Sequence, residues 1–488
     1  MKKLLTVLLA GSSFCALAQK VSKPDAYAKT ITAEDLKKHL YIIASPEMEG
    51  RETGTAGQRK AAAYIENYFK GIGLQPGAGD GYQMYYNLYQ DSLVSAAMEV
   101  NGKAYELDKD FTAGATNMQA TMKLSEVIIV SAGTAATDAF KNTEIAGKLV
   151  MVLGSMSPAI YTQLSKKAPA AFLTVGTDFP KKIASNRNGR QSIRGFRATI
   201  TPATFTISES LARAIAGNKY DSVKSSTTLV QTIKADVMLD VKKATNTAQA
   251  SNVLGVLPGT DLKDEYVVIS AHYDHLGTRN GVLYPGADDD GSGTVGVLEL
   301  AEAFVKASKE GKGPRRSILF LANSGEEKGL WGSEYYTDHP IYPLEKTSVN
   351  LNIDMIGRSD PDRKPDTLNY IYVVGDDKIS TELKTISEAQ NKKYTKLNLD
   401  YKYNDPNDKE RIYYRSDHYN FAKNGVPIIF YYDGMLRPDY HRPSDTPDKI
   451  NYSLMQKRAQ LVFYTGWEMA NRDAMLKRDI PLNKPPGA

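Results

Sequence analysis

The residues able to do chemistry in this chain of 488 residues are acids and histidines spread over short motifs. The run "AHYDH" places His272 and Asp274 two positions apart, on the same side of an extended segment. A metal-bound histidine commonly gives its second ring N–H to a carboxylate, and Asp274 is placed to be that partner. "GADDDG" offers Asp289, "SGEEKG" offers Glu326 and Glu327, "NIDMIG" offers Asp354, and "DYHRPSDT" offers His441. Five ligands with one bridging carboxylate suffice for two zinc ions, each with three protein ligands and sharing a water or hydroxide. The only cysteine, Cys15, falls in the leader, so a mature site must be built from His, Asp and Glu.

The segment Pro285 to Gly296, "PGADDDGSGTVG", carries two conflicting signals. Gly291, Gly293 and Gly296 fit G-x-G-x-x-G, which reads as a nucleotide loop, whereas three successive aspartates read as a cation site. A dinucleotide fingerprint needs its first glycine directly after a buried strand and an anion at the helix start, and three carboxylates fill that position instead. A calcium loop with Gly291 sixth would begin at Gly286 and end at Val297, neither a usable ligand. The metal reading stands, with the glycines allowing a tight turn and close packing of the next helix. No H-E-x-x-H and no G-x-S-x-G occurs, which argues against a helical zinc protease and a serine hydrolase of the elbow type. His275 and His418 read as structural or outer-shell residues, His39 and His339 as surface residues. The loop Asn404 to Glu410 lacks fixed calcium-ligand spacing and reads as solvated.

Positioning such dispersed groups needs a sheet whose strand ends converge. From "SNVLGVLPG" onward, buried runs alternate with helices: "YVVISAHYDH", "RSILFLANSGEE", "TSVNLNIDMIG" and "GVPIIFYYDG" each end in polar or ionisable residues, and Val295 to Ala307 is an amphipathic helix. This predicts an α/β fold with a mainly parallel sheet sandwiched by helices and function at the carboxyl ends of its strands. Two helices are expected between Thr32 and Leu74, the second ending at Gly71, around a polar loop "EGRETGTAG". Residues 88–243 change texture to short β-branched runs and read as an inserted, smaller β-rich domain; 19–87 and 244–480 form the main domain and 481–488 a disordered tail. Residues 1–18 have the basic start, apolar run and Ala16-Leu17-Ala18 pattern of a signal peptide, so export to the periplasm or medium is expected. The 61 basic and 56 acidic residues form no basic block, which disfavours nucleic acid, and no later run is apolar enough for stable membrane insertion.

Residues Asn252 to Asp448 resemble the co-catalytic di-zinc peptidases that include bacterial leucyl-type aminopeptidases and glutamate carboxypeptidases. The resemblance rests on "ISAHYDHLG", "PGADDDGSGT", "ANSGEEKGLWGSEYY", "LNIDMIGR", "YYRSDHYNFAKNGVP" and "DYHRPSDT", in the family's order, with "EGRETGTAGQRKAAAYI" similar to its leading segment. It implies one zinc on His272 and Asp354, the other on Glu327 and His441, and Asp289 bridging both. It further implies Glu326 as general base, Asp274 behind His272, a cis peptide between Asp289 and Asp290, and an oxyanion-stabilising tyrosine at Tyr413, with Tyr414 an equal rival. The "EIAGKLVMVL" and "AFLTVG" runs resemble a protease-associated domain. The implied function is an exported zinc exopeptidase acting on peptides. Release of N-terminal residues is expected because Arg358, Arg415, Arg437 and Arg442 are scattered rather than clustered for a terminal carboxylate. Tyr431, Tyr432 and Met435 are expected to line an apolar pocket. The alternatives are a carboxypeptidase, a glutaminyl-cyclase-like acyltransferase using one zinc, and a non-catalytic binder on the same scaffold.

Overall fold

Two capped helices lead into the fold. Thr32 accepts the N–H of Asp35 and starts α1 (Ala33–Ile43); Thr55 accepts that of Gln58 and starts α2 (Ala56–Ile72). α2 ends not at Gly71 but at Gly73, which takes the left-handed conformation that closes a helix (φ +98°). The computed structural model describes residues 24–482 except 136, 177, 181–184, 197–199 and 365–366. The leader, and the tail beyond Leu482, lie outside the described residues. The chain forms two compact units, Met1–Tyr85 with Ala250–Ala488, and Tyr86–Gln249.

The first unit is built on a mixed sheet. Its strands are β1 (the end of Val230–Leu257), β2 (Leu262–His272), β3 (Arg316–Asn323), β4 (Thr347–Ile353), β5 (Tyr370–Val374), β6 (Asn398–Asp400) and β7 (Ile428–Tyr432). They lie in the order β6-β5-β7-β4-β2-β3-β1. β7, β4, β2 and β3 are mutually parallel, whereas β1 and β5 run antiparallel to their neighbours β3 and β7. Alternate residues serve opposite faces, as the pleat requires. Val267, Ile269 and Ala271 pack in one core with residues of α1, α2, α3 (Gly293–Lys309) and α7 (Tyr452–Asn471); α4 to α6 are the helices Trp331–Asp338, Leu383–Gln390 and His418–Lys423. Val268, Leu319, Leu321 and Ile428 pack on the other face with Tyr336 of α4 and Phe421 of α6. Covering on both faces is why every residue of β3 is buried and why its middle, Ile318 to Ala322, is continuously apolar.

His39 departs from the surface position expected of it. It is buried on α1, its Nδ1 is 2.6 Å from the Tyr64 hydroxyl, and its Nε2 is 3.5 Å from Glu299 of α3. A polar contact between helices holds it inside.

In the second unit Ala120–Ser131, Leu149–Leu153, Ala171–Gly176 and Ala203–Ser208 pair in parallel. Helices Pro158–Ser165 and Glu209–Ala216 accompany these strands, so the unit is an α/β element rather than purely β. One core gathers Ile129, Met151, Leu173 and Phe205, another Ile128, Val150 and Phe172.

Candidate metal centre

The acids and histidines meet where the parallel strands end. His272 is the last residue of β2, paired in register with Asn323 at the end of β3; Glu326 and Glu327 follow β3, and Asp354 follows β4. Asp289 sits in a turn, Ala287–Ser292, directly before α3, with a cis peptide to Asp290. His441 lies after β7 with φ +55°.

The three consecutive aspartates do three different jobs. One oxygen of Asp288 accepts the N–H of Gly357 at 2.8 Å. Asp290 accepts from His272 (3.2 Å), Gly293 (2.9 Å) and Met355 (2.9 Å), tying the ends of β2 and β4 to the start of α3. Only Asp289 is left to face the centre. Its Oδ1 is 3.3 Å from Nε2 of His272 and its Oδ2 is 3.1 Å from Nε2 of His441, so one carboxylate serves two histidines. Both carboxylate oxygens of Asp445 receive the Asp288 N–H at 3.0 Å, and one receives the Asp289 N–H at 3.1 Å, which fixes the turn from below. A side chain could not replace Gly293, since a Cβ there would lie 2.5 Å from the Asp290 carboxylate and 2.6 Å from the carbonyl of Ile353.

Two groups of donors result. In the first, Nε2 of His272 lies 3.6 Å from Asp354 and 3.9 Å from Glu326. In the second, Glu327 lies 3.0 Å from Nε2 of His441 and 2.8 Å from Nδ1 of His275, with Asp289 shared. Ligand atoms about 2.0–2.1 Å from a tetrahedral ion stand roughly 3.3 Å apart, and the spacings here are of that size. Nε2 of His272, Oδ2 of Asp289, Oε1 of Glu327 and both nitrogens of His275 are buried without hydrogen-bond partners. Buried donors and acceptors are rarely left so, and a cation satisfies them together. The residues fit metal ions.

The electrostatics agree. Burial opposes charging His272, but Asp354, Glu326, Asp274 and Asp289 outweigh it and hold its pKa well above the ordinary value. Burial raises Asp289, yet the adjacent His272 and His441 rings bring it well below the usual carboxylate range. Glu326 is pushed well above by burial, with Asp354, Glu327 and Asp417 adding to it and His272 opposing. Such opposed shifts within one cleft mark a site where charge is managed.

Behind His272, Nδ1 lies 3.2 Å from the backbone carbonyl of Asp274 and 3.7 Å from its carboxylate. That carboxylate accepts from the hydroxyl of Thr53 (2.7 Å) and from the N–H of Glu326 (3.1 Å), so it aligns the acid as well as the histidine. Arg51 is wholly buried and donates to the carbonyls of Ile43, Tyr273, Pro285 and Gly286 at 2.7–2.9 Å. One guanidinium thus joins the segment after His272 to the turn before Asp289. Nothing in the sequence marks this role: Arg51 stands in a polar, glycine-rich run, where an arginine is expected in water.

A small cavity opens on the centre, lined by Asp289, Glu326 and Asp354, by Met355, Ile412, Phe430, Tyr432 and Leu436, and by Arg415 and Tyr440. Tyr413 is not among these residues; its ring packs edge-on against Tyr414, His418 and Tyr419. Tyr440, stacked on His441 with ring centroids 3.9 Å apart, lines the cavity. Asp289, Glu326 and Glu327 are close enough to push the Tyr440 hydroxyl pKa upward, after burial. Of the three residues expected in the pocket, Tyr432 lines it, whereas Tyr431 and Met435 are buried in hydrophobic cores because β7 and the turn after it alternate inward. His275, read from the sequence as an outer residue, touches Glu327 directly. His418 is buried and bonds to the carbonyl of Tyr413.

Residues 252–466 match the profile of Peptidase family M28. A probable leucine aminopeptidase of Arthroderma otae is 32% identical over 224 residues, which is 45% of this chain and 57% of that protein. Aminopeptidase YwaD of Bacillus subtilis is 25% identical over 97% of this chain and 95% of its own length. The chain therefore spans little more than half of the first relative and nearly all of the second. Among solved structures, an aminopeptidase from Aneurinibacillus sp. strain AM-1 superposes with a TM-score of 0.54 at 20% identity, covering 94% of this chain and 99% of that one. BSAP, a zinc aminopeptidase from Bacillus subtilis, superposes with a TM-score of 0.51 at 19% identity, covering 92% and 99%. The two superpositions establish a shared fold, and residues 252–466 carry the similarity to Peptidase family M28.

Proposed function

We propose that the chain is an exported zinc-dependent aminopeptidase that removes N-terminal residues from peptides. The observation that carries this reading is the Asp289 carboxylate, which turns one oxygen to His272 and the other to His441 between two groups of donors. His272 and Asp354 would hold one ion, Glu327 and His441 the other, with Asp289 between them. When bound, the ions supply Lewis-acid chemistry, polarising a carbonyl and making water acidic enough to attack at neutral pH. Glu326 takes a proton from the attacking water at its carboxylate and passes it to the departing amine nitrogen. A carboxyl group raised by burial is suited to that exchange near neutrality. Asp274 holds the histidine on one side and the backbone of Glu326 on the other. Tyr440 presents a hydroxyl beside His441, where it donates to the carbonyl oxygen as charge develops there. The carboxylates lining the cavity suit a free amine. Export follows from the leader 1–18, and we read residues 88–243 as a protease-associated-like insert.

The test compares a peptide with a free amine, its N-acetylated form and its C-terminal amide, alongside metal analysis of the dialysed protein. Cleavage abolished by acetylation and kept on amidation, with about two zinc ions per chain, is the expected result. The opposite substrate pattern makes the protein a carboxypeptidase.

A further inference from the structure

We propose that Arg415 reads a carboxylate on the substrate, making this site selective for anionic peptides. The anion is either an acidic N-terminal side chain or the terminal carboxylate of a dipeptide. The inference rests on the peptide-hydrolysing reading of the same site and adds its substrate class.

Arg415 is the only cation among the residues lining the cavity. The rest of the lining divides into the acids of the metal centre and an apolar wall that includes Ile412, Phe430 and Leu436. A guanidinium has five N–H donors in a planar fork. Those of Arg415 are barely engaged: Nη2 donates to the Tyr440 hydroxyl at a long 3.3 Å, and Nη1 stands 3.8 Å from Glu410, itself well exposed. The Arg415 side chain remains 36% exposed. Three buried or half-buried arginines of this unit are instead committed to the protein. Arg358 bonds Asp439 at 2.9 Å, Arg51 takes four carbonyls, and Arg458 takes those of Tyr370, Ile356 and Arg358. Their forks serve the fold, and that of Arg415 faces the cleft.

Its position supports a substrate role. Arg415 precedes the buried pair Ser416–Asp417, which holds its backbone, and its guanidinium carbon lies 5.9 Å from the Tyr440 ring, which stacks on His441. Arg415 and the candidate ligand His441 thus both lie against the Tyr440 ring. A planar fork with free donors beside an apolar wall recognises a carboxylate by paired hydrogen bonds. A neutral amide of equal shape cannot return both bonds and is rejected.

The test uses two substrate pairs with wild type, Arg415→Gln and Arg415→Lys. Glutamyl- against glutaminyl-p-nitroanilide isolates the side-chain carboxylate, and Leu-Gly against Leu-Gly-amide isolates the terminal one. One charged member should exceed its neutral isostere in kcat/KM by roughly tenfold or more. Arg415→Gln should bring that ratio near unity, and Arg415→Lys should restore part of it. A role confined to holding Tyr440 would lower both members together and leave the ratio intact. The same pairs are titrated calorimetrically into zinc-loaded Glu326→Gln protein with and without Arg415→Gln, which reads selectivity without turnover. Ratios near unity for both wild-type pairs, or a ratio and an affinity difference that survive Arg415→Gln, overturn the proposal. If wild type hydrolyses nothing, the peptidase reading fails, and the titration still decides for or against Arg415.

Discussion

At the scale of single residues, the adjacent acids Glu326 and Glu327 are separated by their neighbours. Glu327 lies against His275 and His441 and is held below its ordinary pKa by them against burial, whereas Glu326 lies farther from His272 and is raised by burial. On the proposed reading Glu327 is a metal ligand and Glu326 the group that exchanges a proton. Glu326→Gln should therefore keep its zinc and lose about 10²–10⁴ in kcat, while Glu327→Gln should lose zinc on dialysis. Metal content and turnover of the two variants check this, and equal loss of metal from both would contradict the division. The motifs and the family resemblance pointed to Asp289 among Asp288, Asp289 and Asp290, but the physical reason for that choice lies outside the motif. That choice is made by the N–H groups of Gly357, Gly293 and Met355, which engage the other two and come from distant segments. That Tyr440 lines the cavity depends in the same way on how the loop before His441 folds back.

At the scale of elements, the sheet was readable because its strands are buried on both faces, and the order of motifs then placed His272, Glu326, Glu327 and Asp354 at or just past strand ends. What could not be read was the link between those ends and the segment before α2. Arg51 supplies it. Burial lowers its pKa to about 10, yet it stays charged, and its donors are taken up by four carbonyls. Replacing Arg51 by Met would orphan those carbonyls in a dry interior. The cost should exceed about 3 kcal/mol, by the usual penalty for buried groups deprived of a charged partner. Because the carbonyls flank His272 and Asp289, zinc affinity should fall as well. Arg51→Lys should be intermediate, since an ammonium cannot reproduce the fork. Urea unfolding and zinc titration measure both effects. Wild-type zinc affinity in Arg51→Met would show that the metal turns hold without the clamp.

At the scale of the whole molecule, every residue of the metal centre comes from Met1–Tyr85 and Ala250–Ala488, and none from Tyr86–Gln249. Each unit has its own hydrophobic cores. Within the first unit the chain leaves and returns side by side: the Ser251 hydroxyl donates to Gln83 at 2.9 Å, and the N–H of Leu254 bonds the carbonyl of Tyr82 at 2.7 Å. Bridging two points already in contact costs little loop entropy. Replacing residues 86–249 by a linker of about six Gly and Ser should thus leave a protein that unfolds cooperatively and binds zinc as the intact chain does. Residues 86–249 alone should also unfold cooperatively. Metal content and calorimetric unfolding of the two pieces are the measurements. Loss of zinc from the shortened chain, with its helices and sheet retained, would mean that the second unit supports the centre through packing. Retention would assign metal binding wholly to the first unit and leave the second free to act on substrates rather than on ions.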